Sequence, residues 1–431
     1  MYPECVDRKF SMATTPHQNT VSQRFFQPLF RALSGSSGTR KCYSISDQDW
    51  VNSGVQRLVN LNVSGRDFLQ SNFSYNEEVS DLARSSYFDS LKSVRREKFL
   101  RSVLTELVKI TDQTMDDPFD EISELKDFEL HAGDGHFHAS ACHDQRNSRG
   151  KKTPVGHYFG LNLRSGSLNH LGTSHRGRGH DMSMLASLST EELRQRAPKG
   201  KKVLWIWDRA GIDFRRWYKW KQAGGIYFLS RPKSNSNLPV IGDSGVDYRD
   251  SRNAGVIDNL IVGMGGVSGR LVRWKEPETG EVWEFMTNLP TSIPPGVIVQ
   301  LYQRRWDIEK SFDELKNKLH ERKAWATSIT AKKNHAMFAC LTFNLGLLLD
   351  DWIARNQDIT NLAEQERKDN RARSGAPHSL PSGRQVRSAF QAARRMTQRS
   401  VKFWRWIRTH LYSHVHWDVA VDQLRRAYLK L

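Results

Sequence analysis

The sequence has few cysteines, no long uninterrupted apolar run and fewer acidic than basic residues. Its four cysteines, among 431 residues, lack the paired spacing of a disulfide framework or a zinc ribbon, so we expect a reducing compartment. The longest apolar stretch, residues 337–349, is too short to span a bilayer and contains Thr342 and Asn344. No compact apolar segment precedes a small-residue cleavage site near the N-terminus. These absences disfavour a membrane protein and a secreted protein.

The shortage of acidic residues leaves the protein strongly basic. Lys and Arg number 65 against 47 Asp and Glu, which gives a formal net charge of +18 and a pI near 9.8. A field of this sign raises the local concentration of nucleic acid or of an acidic membrane surface. The charge therefore indicates a polyanionic partner without choosing between these two.

Changes in hydrophobic periodicity divide the chain into segments, and we find no internal repeat. Apolar residues recur every third and fourth position where helices are expected, and they alternate or run together where strands are expected. Residues rich in Ser, Thr, Gln and Arg at the start are typical of a flexible leader. The predicted segments are a leader (1–45), a helical module (46–125), the first part of an α/β core (126–224), a β-rich insertion (225–298), the second part of the core (299–350) and a basic helical region (351–431).

Two aspartates stand out by their position on predicted strands. In "DFELHAGDGHFHAS", residues alternate with the two-residue period of a strand, and Asp134 falls on the side of the apolar residues. In "KKVLWIWDRAG", an apolar run from Val203 to Trp207 ends abruptly in Asp208. Such a run is typical of a buried central strand that delivers a carboxylate to its exposed end.

A third acid lies on a predicted amphipathic helix, "LYQRRWDIEKSFDELKNKLHERKAW", residues 301–325. Tyr302, Arg305, Glu309 and Lys316 are spaced by three, four and seven, which places them within an arc of roughly 60° on an α-helix. A neighbouring apolar stripe would face the core, and it consists of Leu301, Ile308, Phe312, Leu315 and Leu319. The polar quartet therefore lies at the rim of that core. The simplest alternative is a solvated surface with i,i+4 pairs.

Brought together, Asp134, Asp208 and Glu309 could hold two divalent ions of the kind that promote phosphodiester chemistry. Hard oxygen ligands suit magnesium or manganese. Taken alone, Asp208 has a simpler explanation as a cap at the end of its strand. The metal prediction therefore depends on the whole set of three acids.

These motifs resemble the DDE transposases of bacterial insertion sequences, in particular the IS-four group, whose signature is Y-x2-R-x3-E-x6-K. The stretch "YQRRWDIEKSFDELK" matches every specified position of that signature. The resemblance also covers "VLWIWDRAG", "IYFLSR" and "FMTNLP", in this order, and extends over roughly residues 126–350. It implies an RNase H-like mixed-sheet α/β core with a β-strand insertion before the final acid, flanked by helical regions.

The resemblance also implies roles for individual residues. Asp134, Asp208 and Glu309 correspond to the three metal-binding catalytic acids of the family, with two Mg²⁺ or Mn²⁺ ions as cofactors. The matching positions for DNA-phosphate contacts are Tyr302, Arg305 and Lys316. The family often has a small hydroxyl residue after the first acid, whereas this chain has Gly135 and His136, and Asp144 is the alternative first acid.

The expected function is cut-and-paste transposition. The enzyme would hydrolyse a phosphodiester at the terminal inverted repeats, and the freed 3′-hydroxyl would attack target DNA, with a hairpin intermediate in related proteins. The N-terminal helical module would recognise the repeats, a homodimer would pair the two ends, and the bacterial cytoplasm, at the nucleoid, is the expected location. The alternatives are a DNA-binding regulator that has lost activity and an RNase H-like nuclease that cuts without strand transfer.

Three further features have both a functional and a packing interpretation. Trp306 is placed to stack on an extruded base, or it packs at a core or interface. The basic stretch 364–408, with aromatics in "RRMTQRSVKFWRWIR", predicts a DNA-contacting or dimerising helix, or a solvated face. A third feature is a cluster of potential zinc ligands, which comprises His131, His136, His138, Cys142 and His143. Its spacing is not that of a recognised zinc finger, but the cluster could hold zinc. Alternatively, His136 could modulate the metal centre.

Overall fold

The structure is a computed structural model of the 431-residue chain. Its described residues are 19–36, 45–60, 68–69, 84–138, 140–152, 154–174, 181–195, 197–276, 279–319, 323–359 and 399–429.

Within the described residues, nine strands form one mixed sheet. They are β1 (Phe128–His138), β2 (Val155–Asn162), β3 (Leu168–Thr173), β4 (Lys202–Ile206), β5 (Ile226–Ser230), β6 (Val240–Asp243), β7 (Val256–Met264), β8 (Val267–Lys275) and β9 (Val282–Thr287). The strand order is β3-β2-β1-β4-β5-β9-β8-β7-β6. Strands β1, β4 and β5 run parallel to one another, and the remaining pairs are antiparallel.

The helices begin mainly at serine, threonine or aspartate residues whose side chains accept a hydrogen bond from the first turn, as at Thr20, Ser93 and Ser328. In chain order they are α1 (Val21–Ser34), α2 (Asp47–Val59), α3 (Arg84–Ser90), α4 (Val94–Thr114), α5 (Asp181–Ser187), α6 (Thr190–Arg194), α7 (Phe214–Gly224), α8 (Pro295–Gln303), α9 (Trp306–Asp313), α10 (Ile329–Gln357), α11 (Val401–His410) and α12 (Trp417–Leu429).

The two faces of the sheet are covered by different helices, and strand alternation sorts the side chains between them. Leu204 and Ile206 of β4 join the larger core, which includes residues of α4, α9 and α10. Trp205 and Trp207 point to the opposite face and join a smaller core beneath α5, α6 and α7. The result is the α/β layering that the sequence predicts, and the buried strand predicted before Asp208 is confirmed because residues 203–207 are at most 1% exposed.

Helix α10 forms the centre of the larger core. It packs against α1, α2, α4 and β3. By length and composition alone it could cross a membrane, but 83% of its most apolar window is buried inside the protein, as in the core helix of a soluble protein. Its apolar character is therefore accounted for by packing.

The β-rich insertion continues the central sheet. Strand β9 pairs with β5 through Leu229–Thr287 and Ser230–Met286, and β8, β7 and β6 follow as an antiparallel meander. The last described strand before the signature region, β9, therefore lies beside β5, and β4 and β1, which lead to the candidate acids, follow on the other side of β5. This pairing brings the chain back to the site before α8 begins.

The N-terminal region differs from its prediction in two respects. Residues 19–36 fall in the predicted leader, yet they form α1, because Thr20 and Gln23 make a capping box and the apolar side chains at 21, 25 and 29 have helical spacing. The predicted helical module 46–125 also shares one continuous core with the α/β region, since α4 packs directly on α10.

The predicted basic region 351–431 is described only in part. Residues 360–398, with the predicted cations from Arg367 to Arg395, lie outside the described residues. In α11, Phe403, Trp404 and Trp406 are buried, so these aromatic side chains serve packing instead of the predicted DNA contact.

Candidate active site

The register between β1 and β4 sets two of the predicted acids side by side. These parallel strands pair from Phe128–Lys202 to Ala132–Ile206. Asp134 and Asp208 each lie two residues beyond the last pair, so they are level with one another at the carboxyl ends of the strands. Strand alternation also turns both toward the face covered by α9.

Each aspartate is held by a backbone N–H group close to it in sequence. Asp208 caps a short 3₁₀ turn, where its Oδ1 accepts a hydrogen bond from the Ala210 amide at 2.8 Å. Asp134 Oδ1 accepts a 2.8 Å bond from the Gly135 amide. These bonds orient both carboxylates, and each leaves its second oxygen, Oδ2, directed elsewhere.

The signature segment is divided, whereas the sequence predicted one continuous helix over 301–325. Helix α8 ends at Gln303, and i→i+3 bonds from Arg304 to Leu301 and from Arg305 to Tyr302 tighten the chain before α9. Below this break, Arg304 and Asp307 form a fully buried ion pair at 2.5 Å. The single 60° arc assumed for an ideal helix is therefore wrong, and tertiary contacts bring Tyr302, Arg305 and Glu309 to the site.

Helix α9 brings Glu309 to Asp134 through a shared cation. Arg305 Nη1 lies 2.8 Å from Glu309 Oε1 and 3.6 Å from Asp134 Oδ2. The helix is anchored on β1 by Phe312, whose ring stacks on His136 with centroids 4.8 Å apart. The first and third predicted acids thus converge on the guanidinium group of Arg305, a residue that is 7% exposed.

Charge accumulates around this guanidinium group. Burial alone would lower the pKa of Arg305, but Tyr302 and the carboxylates of Glu309 and Asp134 raise it overall. Burial raises the pKa of the Tyr302 phenol. The positive charges of Arg305 and Arg231 oppose this rise, and the negative charge of Asp208 reinforces it. The phenol therefore lies within the electrostatic influence of the second acid as well as of Arg305.

Arg231 is a candidate functional residue that was not selected from the sequence. It follows β5 directly, and its guanidinium carbon lies 4.3 Å from the centre of the Trp283 ring. Burial and the nearby Arg209 lower its pKa, while Tyr302 raises it. The signal was available in "IYFLSR", because β5 is the parallel neighbour of β4 and the ends of parallel strands share one edge of the sheet.

The remaining predicted DNA contacts lie at the surface. Trp306 is 47% exposed, and the Arg305 guanidinium lies over its ring at 4.9 Å. Lys316 is exposed on a π-helical turn, Glu314–Lys318, that continues α9. Lys316 thus adds an exposed positive charge and Trp306 an exposed ring beyond the acids.

The three acids supply the type of ligand that a magnesium or manganese site needs, but their side chains do not have the spacing of such a site. Carboxylate oxygens are the ligands those ions prefer, and backbone bonds already orient two of the three groups. Among the described residues, however, no group of three or more His, Cys, Asp or Glu side chains is arranged so that it could hold a metal ion. At this site the Arg305 guanidinium occupies the space between Asp134 and Glu309.

The alternative first acid lies elsewhere in the fold. Both carboxylate oxygens of Asp144 are 2.9 Å from Lys332 Nζ, near the start of α10, and Oδ2 also accepts a bond from the Ala141 amide. This places Asp144 in a structural ion pair. The geometry thus favours Asp134 over Asp144 as the partner of Glu309.

The predicted cluster of zinc ligands is dispersed. His131 points to the smaller core, where its ring stacks on Trp205, and Cys142 is exposed. His138 instead joins three histidines that the sequence did not connect with it, and their rings form a buried group of His138, His157, His170 and His335. In this part of the described chain the histidines pack against one another, and His136 packs on Phe312.

A mixed sheet flanked by helices, with acids at the carboxyl ends of adjacent parallel strands and on a following helix, defines an RNase H-like α/β fold. Residues 136–345 match the family model described as the transposase DDE domain, which supports a DDE transposase and therefore a DNA-cleaving enzyme. The matched range contains Asp208 and Glu309 and begins two residues after Asp134. No curated protein matches the chain.

Proposed function

We propose that this protein is a transposase of the IS-four group that cleaves DNA at the ends of an insertion sequence and transfers the freed strand to target DNA. The observation that carries the proposal is the convergence of Asp134 and Glu309 on Arg305, level with Asp208. Three acids from separate parts of the chain meet beside cations, which is the charge arrangement that phosphodiester chemistry on a polyanion requires.

In this proposal Asp134, Asp208 and Glu309 would hold two magnesium or manganese ions, for which Arg305 would have to leave its position between Asp134 and Glu309. When bound, such ions make a potent nucleophile available at neutral pH and stabilise the leaving oxygen. The backbone bonds to Asp134 and Asp208 keep the two carboxylates oriented toward the face covered by α9. The residues of the chain thus supply the ligand oxygens and their direction.

The neighbouring cations and Tyr302 bind the DNA backbone. Arg305 presents a planar fork that matches phosphate oxygens, and Lys316 supplies a point charge at the surface. Arg231 adds a third cation directly after β5, the parallel neighbour of the strand that leads to Asp208. Two chains acting together would pair the two transposon ends. Cleavage and strand transfer would take place on bacterial DNA in the cytoplasm.

Cleavage of a supercoiled plasmid in the presence of Mg²⁺ or Mn²⁺ tests the enzymatic part of this proposal. We expect nicked and linear products from the wild type, and a loss of about 100-fold or more in Asp208→Asn and Glu309→Gln, by analogy with the removal of one stabilising group from an active site. Asp213→Asn is a matched control, because Asp213 caps α7 through a similar 3.0 Å bond to the Arg216 amide. It should cleave as the wild type does.

The products also separate the alternatives. A wild type as inactive as the two acid variants would reject the enzyme and leave the DNA-binding regulator. Cleaved products without any joined product, when a donor plasmid with the element's ends is supplied, would leave the plain nuclease. Joined products that disappear with Asp208→Asn would support strand transfer.

A further inference from the structure

The π-helical turn that carries Lys316 is bound on several sides by the C-terminal segment. Its diagnostic bond runs from the Leu319 amide to the Glu314 carbonyl, five residues back, at 3.0 Å. Such turns are rare and occur mostly as single bulges in helices, frequently at functional sites. Because a π turn is less favourable than a continued α-helix, contacts from outside the helix must stabilise it.

Glu314 supplies those contacts at the first residue of the turn. Its carboxylate is fully buried and accepts hydrogen bonds from Arg399 Nε at 2.5 Å, Arg399 Nη2 at 2.9 Å and the Arg399 amide at 3.0 Å. The indole of Trp404 donates a fourth bond at 2.7 Å. All four donors come from residues 399–404, more than 80 positions further along the chain.

The same segment also holds the last residue of the turn. Lys318 Nζ donates to the Arg399 carbonyl, and Arg408 Nη2 donates to the Lys318 carbonyl. Arg408 in turn donates through Nε to the Val59 carbonyl at 2.7 Å, which ties the turn to the end of α2. Both ends of the turn are thus fixed, while Lys316 is exposed in its middle.

From these contacts we infer that Glu314, Arg399 and Trp404 are positioning residues for Lys316, and that residues 399–408 contribute to DNA binding by fixing the turn that carries this side chain. The inference rests on the proposed function, in which Lys316 contacts a DNA phosphate. If the turn relaxed to an α-helix, one residue would be taken up and every later side chain would rotate by about 100°. Lys316 would then lose the direction that the π turn gives it, because in an unbroken α-helix it would lie within about 20° of Glu309, seven residues back.

Arg399 cannot contribute to DNA binding directly. Its side chain is 1% exposed and lies against the ring of Phe343, with its guanidinium carbon 4.1 Å from the ring centre. Any effect of Arg399 on the electrostatics of DNA binding must therefore pass through the turn. The salt dependence of DNA affinity reports this effect, because each phosphate contact contributes a slope of about 0.9 to a plot of log K against log salt.

The test compares DNA-binding slopes among four proteins and uses a short fluorescein-labelled duplex of fixed sequence. Lys316→Ala should lower the slope by about one unit. Glu314→Met combined with Arg399→Met replaces a buried ion pair by apolar side chains of similar size, a change that often preserves folding. This double variant should also lose about one unit, and the triple variant with Lys316→Ala should lose no more.

A matched control removes another largely buried arginine. Arg164 binds Asp117 and the carbonyls of Phe128 and Leu125, far from the turn along the chain, so Arg164→Met should destabilise the protein but keep the wild-type slope. A general loss of stability would therefore not reproduce the expected result. Thermal unfolding of each variant confirms that the compared proteins are folded.

Two outcomes overturn the inference while leaving the proposed function in place. In the first, Lys316→Ala loses one unit but the Glu314→Met, Arg399→Met protein keeps the wild-type slope. In the second, the triple variant loses two units, which would show that the losses are independent. An unchanged slope in Lys316→Ala would instead reject the phosphate contact itself, and the inference with it.

Discussion

Three buried histidines should make the stability of the protein fall as the pH drops below neutrality. Burial lowers the pKa of His131 to about 3, and it holds the pKa values of His157 and His170 well below their ordinary value. All three side chains are neutral in the folded protein at neutral pH. On unfolding they recover an ordinary histidine pKa of about 6.5.

The sign and size of the effect follow from proton linkage. Because each folded pKa lies below the unfolded one, the unfolded chain binds more protons in acid, and stability is lost as pH falls through about 6.5 toward the folded pKa. Each histidine then costs about 1 kcal/mol between about pH 6.5 and 5.5, so three cost about 3 kcal/mol. That is a large share of the roughly 5–15 kcal/mol that stabilises most folded proteins.

Denaturant unfolding of the DNA-free protein, followed by tryptophan fluorescence at several pH values, measures this slope. His131→Phe keeps a ring stacked on Trp205, where the centroids are 4.9 Å apart, and should remove about one third of the slope. His416→Phe, at an exposed position, should leave it unchanged. A free energy of unfolding that stays constant over this range, or a His131→Phe slope equal to that of the wild type, would refute the reasoning.

Two further predictions concern helices α8 and α9. Gly296→Ala should destabilise the protein by about 1–3 kcal/mol, because an added Cβ would lie 1.8 Å from the Arg252 carbonyl oxygen. Thermal unfolding measures this loss. Gly35→Ala is the control, because a Cβ at that position would make only ordinary van der Waals contacts. Trp306→Ala should weaken DNA binding by about 1 kcal/mol with little change in the unfolding temperature if the exposed ring stacks on a base, whereas Trp306→Phe should retain most of the affinity. Equal affinity for Trp306→Ala and the wild type would exclude that stacking.

Local patterns in the sequence were sufficient to predict the strands that carry the first two acids. Alternation over residues 128–138 gives β1 and the face of Asp134, and the apolar run before Asp208 gives β4. Both are properties of a few consecutive residues, and a two-residue period fixes the direction of each side chain. The fold class followed from the order of such segments and from the resemblance, and the match over residues 136–345 agrees with it.

The parts that could not be predicted depend on contacts between distant residues. The π turn requires Arg399, which is 85 positions from Glu314, and no local pattern around Glu314 indicates that partner. The division of the signature helix depends on burial of Arg304 with Asp307, whereas charged residues on a helix usually face solvent. The position of Arg305 between two acids likewise requires the packing of α9 on β1.

Arg305 has two electrostatic roles that compete: it neutralises the repulsion between Asp134 and Glu309, and its positive charge can attract a phosphate. Asp134 and Glu309 would repel each other if they stood alone in this half-buried region, and the guanidinium between them offsets that repulsion in the folded protein. Loss of one acid leaves Arg305 with the other as partner, whereas loss of both leaves a largely buried cation without either carboxylate. The effects of the two acids on stability are therefore coupled and will not add. Under the proposed function, a phosphate able to attract Arg305 would also alter the charge that Asp134 and Glu309 present to a divalent ion, so the binding of DNA and of metal at this site would not be independent.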